Sequence, residues 1–270
     1  MNWWDALILG IIQGLTEFLP VSSSGHLMIA KALLGVDAAG FLDFTVTVHL
    51  ATVLSTIVVF WAVIWKMLKG IFKFRYNDET DYFLKICVSM IPVGLVGLLF
   101  KDRVESLFGD SLTVVAAFLL LTALLLVLSE IITARVHITN NHRNGISYLQ
   151  ALIVGIGQAI AVAPGLSRSG TTIAVGLVSG VKREKMAEFS FLMVLIPIIG
   201  EQCLSLLDIA RGKEALGGSI GALPLAVGFV SAFLAGMFAC KVMISIVKKA
   251  KLSWFALYCA IVAVLIFILA

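Results

Sequence analysis

Apolar runs close to the roughly 20 residues needed to cross a bilayer recur along this chain. They lie at about 44–65, 83–100, 112–133, 189–207, 222–247 and 252–270. Hydrophobic residues make up 60% of the chain and charged residues only 13%, a balance far more apolar than that of a soluble domain. The sequence therefore predicts an all-α polytopic membrane protein with six transmembrane helices.

Two further apolar regions, 3–36 and 148–181, are interrupted near their middles by PVSSSG and PGLSRSG. Each interruption leaves two helical pieces that are too short to span a bilayer comfortably. Irregular backbone at membrane depth is tolerated only where protein or a water-filled cavity surrounds it. We therefore expect both regions to form re-entrant helix pairs.

The two broken regions are copies of each other. A shift of 145 residues places ALILGIIQG (6–14) over ALIVGIGQA (151–159), and 5–36 matches 150–181 at 11 of 32 positions. Three predicted spans separate the copies, and because three is odd, the second copy enters the membrane from the opposite face. The sequence thus predicts one membrane domain made of two inverted-topology repeats, about 1–133 and 146–270.

Basic residues predict the orientation, because Lys and Arg accumulate in cytoplasmic loops. One side carries fourteen of them: Lys66, Lys69, Lys73, Arg75, Lys85, Arg135, Arg143, Lys182, Arg183, Lys185, Lys241, Lys248, Lys249 and Lys251. The other side carries five: Lys31, Lys101, Arg103, Arg211 and Lys213. We expect the first side to be cytoplasmic and both termini to face outward, with the first broken segment open to the outside and the second to the inside.

The net charge of +4 is thus distributed by side and forms no basic patch, so nucleic acid is not an expected partner. One basic residue, Arg168, belongs to neither side because it lies at the second break. We expect Arg168 near the midplane and close to the first break. The predicted partners are membrane lipids, with the oligomeric state left open.

An Arg or a carboxylate at the centre of a membrane helix costs roughly 2.5–3.5 kcal/mol, so Glu17 and Arg168 should face a partner or a cavity. A structural salt bridge between them is one interpretation. However, hydroxyl and imidazole groups surround both residues, which a salt bridge alone does not require. These neighbours are Ser22, Ser23, Ser24, His26, Ser167, Ser169, Thr171 and Thr172.

The pattern favours a phosphate site. Arg168 offers a two-pronged donor, and each break begins a half-helix whose N-terminus attracts anions. Substrate binding is predicted for Ser22, Ser24, Gly25, Ser167, Ser169, Gly170 and Thr171. Turns and helix N-caps are an equally good interpretation of Ser22 and Ser167.

Other polar residues in the apolar segments allow more than one role. His26 is either a buried, hydrogen-bonded histidine or an acid, base or nucleophile near Ser22 and Ser23. Gln13 and Gln158 are expected to be polar supports between helices, and His49 to be hydrogen-bonded packing within its span.

GLTEFLPVSSSGH (14–26) and PGLSRSGTTI (164–173), with the six-plus-two layout, closely resemble the undecaprenyl-diphosphatase family, also called bacitracin-resistance proteins. The resemblance covers the whole chain. It implies hydrolysis of a polyprenyl diphosphate to the monophosphate lipid carrier of peptidoglycan synthesis. It further implies a bacterial plasma (inner) membrane location, an active site that faces outward, and a divalent metal ion as cofactor, with Mg²⁺ or Ca²⁺ expected.

The same resemblance implies catalytic roles for Glu17, Ser23, His26 and Arg168. Glu17 belongs to an E/Q-x-x-x-E motif and is the expected metal ligand. Gln13 occupies the first position of that motif, where many members have glutamate, so Glu17 is the motif's only carboxylate. Between the two nucleophile candidates, the resemblance favours Ser23 over His26.

Two function classes agree with these residues. The first is a membrane hydrolase that cleaves a phosphoanhydride, with attack by Ser23 or His26 and charge stabilisation by Arg168. The second is a polyprenyl-phosphate transporter or flippase, since inverted repeats with broken helices are also the architecture of many carriers. Phosphate release in detergent, where no compartments exist, distinguishes them.

The distribution of basic residues generates a test of orientation. An epitope tag at either terminus should be reached by a membrane-impermeant probe in intact cells, whereas a label in the 66–82 segment should react only after the membrane is opened. Termini that are protected in intact cells would contradict both the orientation and the inverted repeat.

Overall fold

The computed structural model describes residues 1–37, 40–100, 111–135, 142–210, 220–249 and 251–269, with the backbone alone at 201–210, 248–249 and 269. The described part is all helical, without a β-strand, and contains eleven α-helices and a short 3₁₀ turn at Arg143–Gly145. The helices are α1 (Trp3–Phe18), α2 (Ser23–Leu34), α3 (Phe41–Val59), α4 (Trp61–Ile71), α5 (Asp78–Leu99), α6 (Leu112–Thr133), α7 (Tyr148–Ile160), α8 (Arg168–Val178), α9 (Arg183–Ala210), α10 (Ala222–Lys249) and α11 (Ser253–Leu269).

Among the described residues, four helices are long and apolar enough to cross a membrane. They are Phe41–Val59, Asp78–Leu99, Leu112–Thr133 and Ala222–Val247. The predicted spans at 189–207 and 252–270 fall on α9 and α11, and α11 is a shorter apolar helix. Lys101, Arg103, Arg211 and Lys213, which the sequence assigns to the outer side, lie outside the described residues.

The predicted span 44–65 is wrong at its C-terminal end, because α3 ends at Val59 and a separate helix begins at Trp61. The second helix, α4, exposes Trp61 and Trp65, whose rings stack at 5.8 Å between centroids. Its later residues include Lys66 and Lys69. Aromatic and basic residues of this kind occur at membrane–water interfaces. Hydropathy alone extended the span into α4 because the tryptophans are apolar.

Both predicted breaks are confirmed: α1 ends at Phe18 and α2 begins at Ser23, while α7 ends at Ile160 and α8 begins at Arg168. Each new helix starts with a serine N-cap. Ser22 Oγ accepts a hydrogen bond from Gly25 N at 3.3 Å, and Ser167 Oγ accepts one from Gly170 N at 3.0 Å. Ser22 and Ser167 correspond to each other under the 145-residue shift, so the second helix of each copy begins with the same N-cap contact.

Helix packing follows the same 145-residue shift. The shift places α1 over α7 and α5 over α10. Helix α1 packs on α10, and its counterpart α7 packs on α5 in the same way. Small residues permit the first contact: Gly10 and Gly14 lie one turn apart on α1, where a Cβ at Gly14 would meet the Ala232 carbonyl oxygen at 2.6 Å. Such small-residue stripes bring helix backbones close together in membranes, where packing rather than hydrophobicity drives association.

Substitution of Gly10 tests this contact. A Cβ at Gly10 would overlap Ser231 Oγ and lie 2.5 Å from the Gly228 carbonyl oxygen, so Gly10→Ala should destabilise the protein by about 1–3 kcal/mol through overpacking. The measurement is thermal unfolding in detergent, with Gly94→Ala as the control because nothing lies within 4 Å of a Cβ at Gly94. Equal melting temperatures for the two variants would contradict close α1–α10 packing.

Candidate active site

Glu17, in the last turn of α1, is the centre of the polar cluster. Its side chain is only 8% exposed, and both carboxylate oxygens have partners. Oε1 pairs with Arg168 Nη2 at 3.2 Å, while Oε2 accepts hydrogen bonds from Ser23 Oγ at 2.5 Å and Gln13 Nε2 at 2.9 Å. A buried carboxylate requires such compensation because removal from water otherwise strongly disfavours its charge.

Arg168 reaches this cluster from the second break, 151 residues along the chain, and this contact confirms that Arg168 lies close to the first break. Glu17, Arg168 and Ser169 line a cavity of about 30 Å³, which holds about one water molecule. Its remaining walls are largely apolar and come from α3 and α9, including Val53, Phe191 and Ile198. The cavity is therefore lined by a charged pair together with apolar side chains.

Two equivalent serines hold the breaks together. Ser169 Oγ donates to the Leu19 carbonyl oxygen of the first break at 3.1 Å, and Ser24 Oγ accepts from the Gly165 backbone N–H of the second at 3.5 Å. Each serine thus satisfies a backbone group that a regular helix would have paired internally. Substrate contact by Ser24 and Ser169 stays a prediction, as it does for the N-caps Ser22 and Ser167.

The motif glycines allow the breaks to approach. A Cβ at Gly25 would meet Val115 Cγ1 at 3.1 Å, and one at Gly170 would lie 3.1 Å from Pro20 Cβ. The neighbouring Thr171 is buried, and its Oγ1 has no hydrogen-bond partner among the described residues. The structure therefore gives Gly25 and Gly170 packing roles, while contact of these residues or of Thr171 with substrate remains predicted.

Ser23 is the first residue of α2 and follows a strained position. Ser22 has φ +69°, a conformation that non-glycine residues rarely adopt and that is frequent at functional sites. This bend places Ser23 Oγ against Glu17 Oε2. The serine proton therefore points at the carboxylate.

His26 bonds away from Ser23. Its Nδ1 lies 2.8 Å from the Ser22 carbonyl oxygen, which can only accept, so Nδ1 carries a hydrogen. In the neutral ring, Nε2 then accepts from the Tyr258 hydroxyl at 2.8 Å, and the two rings stack at 5.5 Å between centroids. The imidazole in this arrangement does not act as the base for Ser23.

Sequence reasoning missed two residues of this cluster, Tyr258 and His49. Tyr258 is 232 residues from His26 and sits in an apolar run, so no local signal identifies it. His49 was interpreted as hydrogen-bonded packing, and its Nδ1 does lie 2.8 Å from the Thr45 carbonyl oxygen. Its Nε2, however, lies 3.8 Å from Glu17 Oε2. An ionisable side chain inside a span was the available signal.

Possible ligands for a cation are few. In the described part of the chain, no three His, Cys, Asp or Glu side chains come together in a way that suits a metal ion. Ser23 Oγ contacts the expected ligand Glu17, and Gln13, whose Nε2 donates to Glu17, has an Oε1 that is buried without a hydrogen-bond partner among the described residues. Hard divalent cations favour oxygen donors of this type.

Comparison with known proteins identifies the family. The family model described as bacitracin resistance protein BacA matches residues 6–265, nearly the whole chain. The chain belongs to this family. BacA membership extends over both breaks and all eleven described helices, so it applies to the complete polar cluster and not to one motif alone.

Relatives within the BacA family cover this chain almost completely. An undecaprenyl-diphosphatase of Parabacteroides distasonis is 54% identical over 97% of this chain and 96% of its own length. One of Bacteroides fragilis is 53% identical, over 98% and 97%. A more distant one from Methanobrevibacter smithii is 38% identical, over 99% and 97%.

The Glu17–Arg168 contact generates a test of the guanidinium. Arg168→Lys keeps the cation but loses the planar fork, so turnover of a diphosphate substrate should fall about 10²-fold or more while the protein stays folded. The matched control is Arg183→Lys, which makes the same change in the Arg183–Glu130 pair, where Nη2 and Oε1 are 2.7 Å apart. Equal turnover in the two variants would make Arg168 purely structural.

Proposed function

We propose that this chain is an undecaprenyl-diphosphate phosphatase, a membrane hydrolase that converts the polyprenyl diphosphate carrier to the monophosphate and inorganic phosphate for peptidoglycan synthesis. One observation carries the proposal: a serine hydroxyl, Ser23, points at a buried carboxylate whose other oxygen pairs with Arg168. Family membership and relatives named for this activity support the same substrate. Bacitracin resistance is the expected consequence of that membership.

The residues around the small cavity, rather than its present volume, suit a substrate with a phosphate end and a hydrocarbon end. Arg168 and Ser169 are among these residues, and the guanidinium and the N-terminus of α8 favour a phosphate group. Val53 and Ile198 are also among them, and such side chains favour contact with the hydrocarbon of a polyprenyl chain.

The cluster suggests a two-step reaction. Ser23 Oγ attacks the terminal phosphorus while its proton passes to Glu17 Oε2, and the phosphoanhydride bond to the inner phosphate breaks. Glu17 gives that proton to the departing monophosphate. Water then attacks the phosphoserine; Glu17 accepts its proton and returns it to Ser23 Oγ as inorganic phosphate leaves. Arg168 stabilises the charge on the transferred group in both steps.

Other residues support these two. His26, held by Ser22 and Tyr258 through its two ring nitrogens, keeps the start of α2 in place and is the second nucleophile candidate. The residues that fit a divalent ion are Glu17 and Gln13, through carboxylate and amide oxygen. Bound Mg²⁺ or Ca²⁺ would neutralise negative charge on the phosphate oxygens.

The proposal includes a location and a topology. The protein resides in the bacterial plasma (inner) membrane, with six spans and two re-entrant pairs in inverted repeats of about 1–133 and 146–270. Its termini and active site face outward. The basic-residue distribution, the 145-residue duplication and the four long apolar helices support this arrangement.

Phosphate release tests the function. Purified protein in detergent should release inorganic phosphate from undecaprenyl diphosphate when Mg²⁺ or Ca²⁺ is present and stop when a chelator is added. Ser23→Ala should lower turnover about 1,000-fold or more because it removes the nucleophile, whereas Ser22→Ala and Ser24→Ala should retain far more activity.

Two results would change this conclusion. Absence of phosphate release by folded protein, together with movement of polyprenyl phosphate across vesicles, would favour the transporter. Full activity in Ser23→Ala, or an acid-labile and base-stable phosphoenzyme that disappears in His26→Ala, would transfer the nucleophilic role to His26.

A further inference from the structure

Helix α4 carries aromatic rings on a face that the described residues leave exposed. Trp61 and Trp65 lie on this face and Phe72 lies at its C-terminal end, with 54%, 48% and 71% of each residue exposed. The opposite face already packs on the core through Val63 and Met67. Because the core contact is made without them, the exposed rings indicate a contact with a membrane or a partner.

The length of α3 places this face at the edge of the membrane. Its 19 residues rise roughly 28 Å at 1.5 Å per residue, about the thickness of the hydrocarbon core. Helix α4 begins directly after Phe60 and has 11 residues, too few to cross the bilayer again. It therefore lies at the membrane–water boundary, on the side that the basic residues assign to the cytoplasm.

Basic side chains accompany the rings. Lys66 and Lys69 are exposed on α4, and the exposed Lys73 and Arg75 follow it. Lys69 Nζ lies 5.2 Å from the centre of the Trp65 ring, so one cation and one ring already form a unit. The face thus combines apolar rings with positive charge.

The acidic residues that follow α4 do not cancel this charge. Asp78 pairs with Arg143, and Glu79 Oε1 lies 3.4 Å from Lys66 Nζ. In the described part of the chain, the side chains of 69, 73 and 75 have no carboxylate partner. These cations remain for an anion from outside the protein.

We propose that this face binds the headgroup region of anionic phospholipids in the cytoplasmic leaflet. It comprises Trp61, Trp65, Lys66, Lys69 and the segment 72–75, and is called the α4 surface below. Tryptophan rings are favoured at headgroup depth, where lysine and arginine reach lipid phosphates. The charge selects an acidic headgroup over a zwitterionic one, and the rings select a bilayer lipid over free phosphate. The inference does not depend on the catalytic residues.

Native mass spectrometry of the full-length protein in detergent tests this by counting bound lipids. Wild-type protein should bind phosphatidylglycerol about tenfold more tightly than phosphatidylcholine, because each cation near the surface adds attraction for an anionic lipid. Glycerol 3-phosphate, which carries negative charge without acyl chains, should not displace the lipid. Equal affinity for the two lipids, or displacement by glycerol 3-phosphate, would overturn the proposal.

Two variants distinguish the α4 surface from positive charge in general. The α4 variant replaces its four cations: Lys66→Gln, Lys69→Gln, Lys73→Gln and Arg75→Gln. The matched control replaces four exposed lysines of the same predicted side: Lys182→Gln, Lys185→Gln, Lys241→Gln and Lys251→Gln. The α4 variant should lose about tenfold or more in phosphatidylglycerol affinity, whereas the control should stay within about threefold of wild type. Equal losses in the two variants would refute the assignment.

Tryptophan fluorescence locates the lipid without removing a charge. Phosphatidylglycerol with brominated acyl chains should quench wild-type emission more than brominated phosphatidylcholine does. This excess should disappear in Trp61→Phe/Trp65→Phe and persist in Trp254→Phe, the control at another exposed tryptophan. Its persistence in the double variant would contradict the proposal.

The same spectra report whether a second copy covers the α4 surface instead. A wild-type dimer that binds no phosphatidylglycerol, and that becomes monomeric in Trp61→Phe/Trp65→Phe, would overturn the lipid assignment. Because the replaced side chains are exposed, melting temperatures in lipid-free detergent should match wild type. Phosphatidylglycerol should raise the melting temperature of the wild type and the lysine control, but not that of the α4 variant.

Discussion

A buried carboxylate governs this structure. Glu17 lies almost completely out of contact with solvent, in a chain whose helices are largely apolar, and an uncompensated charge there would be very costly. Arg168 supplies the opposite charge, and Ser23 and Gln13 supply hydrogen bonds. Because Arg168 belongs to the second repeat, this compensation also joins the two halves of the chain.

The two breaks are related by sequence but differ where chemistry is expected. Ser22 and Ser167 cap equivalent helices, and Ser24 and Ser169 each bond the backbone of the opposite break. At the position between them, the first copy has Ser23 and the second has Arg168. The two breaks thus share the contacts that keep broken helices paired and differ at the central position, where one has a nucleophile candidate and the other a cation.

The arrangement also separates the two histidines of the cluster by role. His26 is held by Ser22 and Tyr258 with both ring nitrogens engaged, whereas His49 has Nδ1 beside the Thr45 carbonyl oxygen and Nε2 at 3.8 Å from Glu17 Oε2. A fixed ring suits a group that must meet substrate in one orientation. His49 contributes to the surroundings of the carboxylate.

The sequence by itself determined the membrane class, the positions of both breaks and the family, because hydropathy, helix-breaking residues and paired motifs are local or periodic properties. It overextended one span past Phe60, since hydropathy does not register where one apolar helix ends and the next begins. Only the tertiary structure decided that Ser23 bonds Glu17 rather than His26, and that His49 and Tyr258 join the cluster. Those contacts depend on how helices rotate and pack, and residues 232 positions apart in apolar runs leave no local trace of their meeting.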